Sequence, residues 1–342
     1  MPLTSHQIKQ VQEELDNCAN PLYFFHDDPD GLCSFLLFYK YKREGYGIVV
    51  KRATPKIDKQ FIPKVNEYKP DKIFILDIAI VDQEFVDGVK VPIVWIDHHE
   101  PKQLEHIKIF NPRVKDKNDG TPVTYLCHQV VNDNLWIAAI GCIGDWFLPD
   151  FISEFREKYP DLIEKGMEHP GEILFTTNLG KLARIFSFVL KGKSSDVKKS
   201  FKTLTRIESP YEILNQESSR GKFIYKQFEK INEGYVELIN SAIKQVTKDP
   251  MLVYIYTENK MSFSGDLANE LLFRYPTKLI IVGREKKGEI KMSLRSSKLL
   301  LPILKKSLEG IEGYGGGHEY ACGANIKKAH FENFLENIRK HL

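Results

Sequence analysis

The sequence is short of the features that define several broad classes. Its 342 residues hold only five cysteines, Cys18, Cys33, Cys127, Cys142 and Cys322, scattered, odd in number and without a Cys-x-x-Cys pair. That argues against a disulfide framework or a zinc ribbon and fits a reducing cytosol. No apolar run approaches the ~20 residues needed to span a bilayer. Residues 1–20 carry Glu13, Glu14 and Asp16 and lack an uninterrupted apolar core, so no signal peptide is visible. A cytoplasmic protein with no membrane partner is expected. Strong charge is missing too: the net charge is +3, so any nucleic-acid binding must use local patches. Internal repeats and low-complexity tracts are also absent. The 42% hydrophobic and 28% charged content is ordinary for a globular chain, and the length allows two domains with separate cores.

Hydropathy patterning gives the organisation. Residues 5–18 read as an amphipathic helix with Ile8, Val11 and Leu15 on one stripe and Thr4 or Ser5 as its cap. From 21 to 110, apolar strands at 21–26, 47–52, 72–77, 91–97 and 107–110 alternate with helical segments, the rhythm of a parallel sheet. Residues 122–148 look helical. Residues 151–248 turn rich in Lys, Glu, Phe and Leu and read as a helical connector. Strands return at 252–256, 278–283 and 289–295, with helices near 266–274 and 299–309 and a final helix from 328. The expected fold is α/β: an N-terminal parallel-sheet domain over 1–150, a connector over 151–248 and a smaller C-terminal α/β domain over 249–342.

Acidic and imidazole side chains gather at the strand ends. The run Val91-Pro92-Ile93-Val94-Trp95-Ile96 leads straight into Asp97-His98-His99. Three such groups are costly to bury without partners. Imidazole and carboxylate together suit Mn, Fe, Zn or Mg, depending on geometry. His26-Asp27-Asp28-Pro29-Asp30-Gly31 follows another apolar strand, and alternation aims His26, Asp28 and Asp30 to one side and Asp27 to the other. Asp77 closes Lys72-Ile73-Phe74-Ile75-Leu76, where a carboxylate must be hydrogen-bonded or metal-bound. Asp145 follows Gly144, which permits close backbone approach. In open parallel sheets ligands collect at the carboxyl ends of strands, so these residues predict one composite site.

With these motifs in order, the chain resembles the DHH phosphoesterase superfamily, and within it the archaeal RecJ-like exonucleases. His26, Asp28, Asp30 and Gly31 match that group's His-x-Asp-x-Asp-Gly. Bacterial RecJ usually has Asp at the first position. The nano-RNase, cyclic-dinucleotide phosphodiesterase and family II pyrophosphatase branches place their His two residues earlier, where this chain has Phe24. Gly315-Gly316-Gly317-His318 with Ala321-Cys322-Gly323-Ala324 is similar to the signature of the DHH-associated substrate domain.

The resemblance implies two divalent ions, Mn²⁺ preferred and Mg²⁺ possible. His26, Asp28 and Asp77 would hold one; Asp30, Asp77, His98 and Asp145 the other. A water would attack phosphorus in line, with no protein nucleophile. Asp77 and His99 would be catalytic, His99 also contacting phosphate, and Asp97 would orient imidazole. Arg295, Ser296, Gly315, Gly316, Gly317 and His318 would bind substrate, with His318 closing over the scissile group. The implied activity is a single-strand-specific exonuclease on DNA or RNA that releases nucleoside monophosphates in repair or replication. Two lobes would enclose its cleft. Hydrolysis of short oligonucleotides or cyclic dinucleotides is one alternative. A non-catalytic helicase scaffold is another, disfavoured because every ligand position is kept. A replication factor such as a GINS subunit is a partner the resemblance allows. The basic run Lys181, Arg184, Lys191, Lys193, Lys198, Lys199, Lys202 and Arg206 is either a solvated helix face or a track for a strand.

Overall fold

The computed structural model describes residues 2–51, 55–257 and 261–342. The chain divides into two compact units, Met1–Phe228 and Glu229–Leu342. The first opens with α1 (Ser5–Asp16), whose Thr4 forms a full capping box with Gln7. Its sheet follows the order β2-β1-β4-β6-β7, all parallel. These strands are β1 (Pro21–His26), β2 (Tyr46–Val50), β4 (Lys72–Leu76), β6 (Ile93–Ile96) and β7 (Lys108–Phe110). A separate pair joins β3 (Lys56–Ile57) to β5 (Ile80–Val81). Residue 52 of the expected second strand lies outside the described residues.

The central strands β4, after Lys72, and β6 are apolar because both faces of the sheet are covered. Leu22, Phe24, Ile73, Ile75, Ile93 and Trp95 share a core with Val65 of α3 (Ile62–Tyr68) and Phe85 and Val86 of α4 (Gln83–Gly88). On the other face Tyr23, Phe25 and Phe74 stack on or meet edge-on Phe35 and Phe38 of α2 (Pro29–Lys42). Behind α2 lie α5 (Val123–Val131) and α6 (Leu135–Gly144). The expected helix over 122–148 is therefore two. Asn132 and Asn134 turn left-handed between them, at φ 47° and 54°. Asn tolerates that region better than most residues, and the polar triplet Asn132-Asp133-Asn134 was its signal.

The helices α7 (Ile152–Lys158), α8 (Pro170–Thr176), α9 (Asn178–Phe188), α10 (Ser194–Leu204) and α11 (Pro210–Leu214) all lie in the first unit. Leu182, Ile185 and Phe186 of α9 are buried, and Phe201 of α10 packs edge-on to Phe25 and Phe35. The boundary between units falls inside α12 (Ser219–Ile243), so the stretch read as a connector is shared between them.

The second unit has a five-stranded sheet in the order β11-β12-β10-β9-β8. Its strands are β8 (Met251–Tyr256), β9 (Leu279–Lys286), β10 (Glu289–Arg295), β11 (Gly313–Gly317) and β12 (Ala321–Lys327). Only β8 and β9 are parallel. Ile290, Met292, Leu294, Cys322, Ala324 and Ile326 face a core completed by α14 (Leu301–Ser307) and α15 (Phe331–His341). Helix α13 (Ser264–Arg274) packs on β9 and β10. The glycines Gly315, Gly316 and Gly317 end the edge strand β11, held to β12 from Gly313 opposite Ile326 to Gly317 opposite Cys322. No helix among the described residues is long and apolar enough to cross a membrane.

One glycine ties this frame to the strand ends. A Cβ on Gly31 would lie 2.6–2.9 Å from the backbone of His26. Gly31→Ala should therefore push α2 off the end of β1, an overpacking cost of about 1–3 kcal/mol. Thermal unfolding should then shift down by ~2–10 °C; an unchanged midpoint would mean that this junction relaxes freely.

Candidate metal centre

The first unit winds outward from β1 to β2, then returns to lay β4 on the other flank of β1. Between β1 and β4 the winding reverses, which leaves a crevice at the carboxyl ends of the strands. His26 ends β1, Asp77 follows β4, and Asp97, His98 and His99 follow β6. Asp77 is left-handed, at φ 57°, which costs a non-glycine residue about 1–2 kcal/mol. Its N–H donates to Ile96 O at 3.1 Å, which helps to hold the turn.

Side-chain distances draw these groups into one cluster. His26 Nδ1 lies 2.8 Å from Asp28 Oδ2 and 3.2 Å from Asp77 Oδ2. The other Asp77 oxygen is 3.4 Å from His98 Nε2, while His98 Nδ1 is 3.7 Å from Asp145 Oδ2. Three donor sets result: His26, Asp28 and Asp77; Asp30, His98 and Asp145; Asp77, His98 and His99. Within each, one ligand atom from every residue lies within 4.8 Å of the others. Asp27 approaches His26 Nε2 at 3.5 Å but joins none of these sets.

Local structure fixes each member. Asp28 caps α2 by accepting from the Gly31 N–H at 2.9 Å. Asp30 is buried, and its two oxygens accept from the Val123 and Thr124 N–H groups at 2.9 and 2.6 Å, at the N-terminus of α5. Asp145 caps the end of α6, which passes close because a Cβ on Gly144 would lie 2.6 Å from Pro29. Asp97 is buried and receives His99 twice, at 2.9 Å from the backbone N–H and 2.9 Å from Nδ1. Asn111 Nδ2 donates to His99 O at 2.9 Å. Sequence reading missed Asn111 and Thr124, because only the folded chain brings them to the motif.

The cluster carries more negative charge than it can balance. Burial pushes Asp30 well above the usual carboxylate range, and the charges of Asp77 and Asp145 add to it. Burial likewise raises Asp145 to about 7, with His98 opposing and Asp77 and Asp28 adding. Solvent on 35% of the Asp145 side chain tempers that rise. Asp77 goes the other way: burial would raise it, but hydrogen bonds from His26 and His98 hold it far below its ordinary value. Burial would lower both histidines, yet their acidic neighbours push them well above the usual range. Carboxylates and imidazoles that must otherwise share protons are a donor set suited to divalent metal.

The second unit groups the remaining expected residues. Arg295 Nε donates to Asn269 Oδ1 at 2.6 Å, and Nη1 donates to Leu294 O and Cys322 O. Ser296 is buried, and its hydroxyl accepts from the Lys298 N–H at 3.0 Å while its own N–H bonds to Tyr320 O. Gly315, Gly316 and Gly317 lie in β11, and the His318 N–H donates to Ala321 O at 2.9 Å. Ser293 lies two residues from Arg295 on the same strand face.

Comparisons with known proteins agree with this geometry. The sequence model of the DHH family, N-terminal domain, matches residues 22–141, and that of the DHHA1 domain matches residues 249–342. No curated protein matches the chain. Among solved structures, RecJ from Thermus thermophilus in complex with Mn²⁺ has a TM-score of 0.69 at 14% identity, covering 100% of this chain and 55% of that one. The chain thus spans about half the length of that relative. Exonuclease RecJ bound to manganese has a TM-score of 0.65 at 15% identity, covering 100% and 95%. The pGpG-specific phosphodiesterase PggH from Vibrio cholerae has a TM-score of 0.50 at 11% identity, covering 94% and 98%. The two domain models, matched in order and together covering more than half of the residues, place this chain in the DHH family, with a fold like that of RecJ around a cluster of donors that could hold metal.

Proposed function

We propose that this chain is a single-strand exonuclease that hydrolyses DNA, RNA or both and releases nucleoside monophosphates. The observation that carries the reading is Asp77, whose two oxygens face different donor sets, His26 with Asp28 on one side and His98 on the other. A shared carboxylate of this kind suits a pair of cations. His26, Asp28 and Asp77 would hold one ion; Asp30, Asp77, His98 and Asp145 would hold the other. Divalent cations, Mn²⁺ by preference or Mg²⁺, would activate water and neutralise charge on the phosphoryl oxygens.

The chain's own groups do the rest. Asp97 holds the His99 ring through Nδ1 and, with Asp77, raises its pKa against the opposing effect of burial. A protonated ring keeps Nε2–H as a donor toward a phosphate oxygen. Arg295 has Nη2 left over after bonding Asn269 and two carbonyls, and a guanidinium suits phosphate. Ser296, Gly315, Gly316, Gly317 and His318 complete the proposed substrate contacts. The likeness to a pGpG-specific phosphodiesterase favours a second reading, hydrolysis of very short oligonucleotides. A substrate-length series separates the two. Mononucleotide release from long strands supports the exonuclease, and activity confined to the shortest substrates supports the alternative. The complete ligand set speaks against a non-catalytic scaffold.

Two outcomes test the assignment. Asp77→Ala should cut hydrolysis by on the order of a thousandfold or more, since it removes a ligand common to both ions. Millimolar Mn²⁺ should raise the melting temperature of the wild-type protein and leave that of Asp77→Ala nearly unmoved. Retained turnover, or an equal Mn²⁺ response in both proteins, would remove the shared-ligand assignment. Arg295→Ala should raise KM about tenfold or more, the loss of a charged hydrogen bond, while Mn²⁺ titration stays at its wild-type midpoint. A shifted metal midpoint with unchanged KM would reverse the division of labour.

A further inference from the structure

Helix α6 ends against the ordinary preference of its backbone. The Phe147 N–H donates to Cys142 O at 2.9 Å and the Trp146 N–H donates to Ile143 O at 3.1 Å, the pair of bonds of a Schellman motif. That motif puts the residue after the cap in left-handed backbone, a position that glycine usually fills. Here it is Trp146, at φ 57°. A bulky side chain at positive φ is an outlier, and such strain gathers at functional sites. The other described non-glycine residues with positive φ are Arg43, Lys69, Asp77, His106, Asn132, Asn134, Gln216 and Lys287, all polar or charged. Trp146 alone among them sets a large apolar ring on a strained backbone.

Packing holds the ring without absorbing it into the core. The indole meets Phe175 of α8 edge-on, with ring centroids 5.8 Å apart. A Cβ on Gly171, also in α8, would lie 2.7 Å from the six-membered ring of the indole. Helix α8 therefore fixes the ring from one side. Phe147 packs elsewhere, 5.6 Å from Tyr125 of α5. Trp146 itself stays half-buried. The other two of the three tryptophans, Trp95 and Trp136, are 2% and 3% exposed. Only Trp146 thus keeps part of its indole in contact with solvent.

Position points to the kind of ligand. Trp146 directly follows Asp145, whose Oδ2 lies 3.7 Å from His98 Nδ1 within the donor cluster. Consecutive Cα atoms are about 3.8 Å apart, so the indole starts within one side-chain length of the cluster. Where a scissile phosphate occupies the cluster, the nucleoside joined to it lies next to the phosphate. A ring held at its edge by Phe175 leaves a face for another planar ring. Stacking of a base on an aromatic side chain tolerates any base, as degradation of arbitrary sequence requires. Glycine at 146 would relieve the backbone and keep the Asp145 donor, but it would offer no such face.

We infer that Trp146 is a base-stacking residue of the metal centre, its indole receiving the nucleobase that adjoins the scissile phosphate. The inference rests on the exonuclease reading and deepens it: the end of the strand is held through its base as well as its phosphate. Purine ends should bind more tightly than pyrimidine ends, because the larger ring overlaps more of the indole.

The test titrates the Mg²⁺-loaded protein with a single-stranded phosphorothioate 12-mer, which resists hydrolysis, and with the same strand made abasic at one end or the other. Labelled strands give affinity by anisotropy; unlabelled strands are followed by tryptophan emission, which reports Trp146 because Trp95 and Trp136 are buried. The wild type should bind about tenfold more weakly when the base is missing from one of the two ends, and its emission should fall with the intact strand. Trp146→Ala should bind the intact strand about tenfold more weakly and lose the distinction between intact and abasic ends, the coupling expected of a direct contact. Trp146→Phe should recover most of the affinity, because it restores an aromatic face. If the wild type is indifferent to the missing base at both ends, or if Trp146→Ala weakens intact and abasic strands alike, the ring serves only the fold and the inference fails, with the exonuclease reading intact. The abasic comparison needs the wild type alone, so it decides the question whether or not the variants fold. A wild type that binds none of the strands would overturn both.

Discussion

The Asp77 carboxylate between two histidines is the contact on which the first unit's chemistry depends. One oxygen faces His26 from β1 and the other faces His98 from beyond β6. This is possible only because β4 lies between those strands and because the Asp77 backbone turns left-handed as β4 ends. The group is buried, so its charge is unscreened and its neighbours' protons are coupled to it. The fold thus concentrates acids around a buried carboxylate, a charge that divalent cations would balance.

The supporting structure serves this concentration. Asp30 is held by the first amides of α5, Asp28 by the start of α2, and Asp145 by the end of α6. Helix N-termini supply N–H groups that stabilise the carboxylates of Asp28 and Asp30, whereas Asp145 sits at the C-terminal end of α6 without that help. Close packing sets the reach. Gly31 lets α2 rest on the end of β1, and Gly144 lets α6 approach Pro29. A methyl group at either position would displace ligands on two elements at once.

The two sheets illustrate different uses of a strand end. In the first, parallel strands bring acidic and imidazole side chains together at their carboxyl ends, so the site is compact. In the second, a mostly antiparallel sheet is covered on one side by α14 and α15, and part of its other face stays open.

Much of this was legible in the chain. Buried strands announce themselves as short apolar runs, and a carboxylate or imidazole directly after one has few places to go. His26, Asp28, Asp30, Asp77, His98 and Asp145 could therefore be named as one cluster from local pattern, whereas the pairing of His99 with Asp97 came only with the structure. The break at Asn132 to Asn134 was written in polar residues but overshadowed by helical periodicity on both sides. Nothing local marks the glycine run as a strand, because a strand edge is defined by its partner, and β12 lies beyond the turn. Sequence alone determined which residues carry charge and which apolar runs end in a carboxylate or imidazole. Strand order, the amides of Val123 and Thr124 that receive Asp30, and the contact of Trp146 with Phe175 were decided only by tertiary structure. Contacts between residues far apart in the chain leave no periodic trace in it; they exist only once packing has chosen the neighbours.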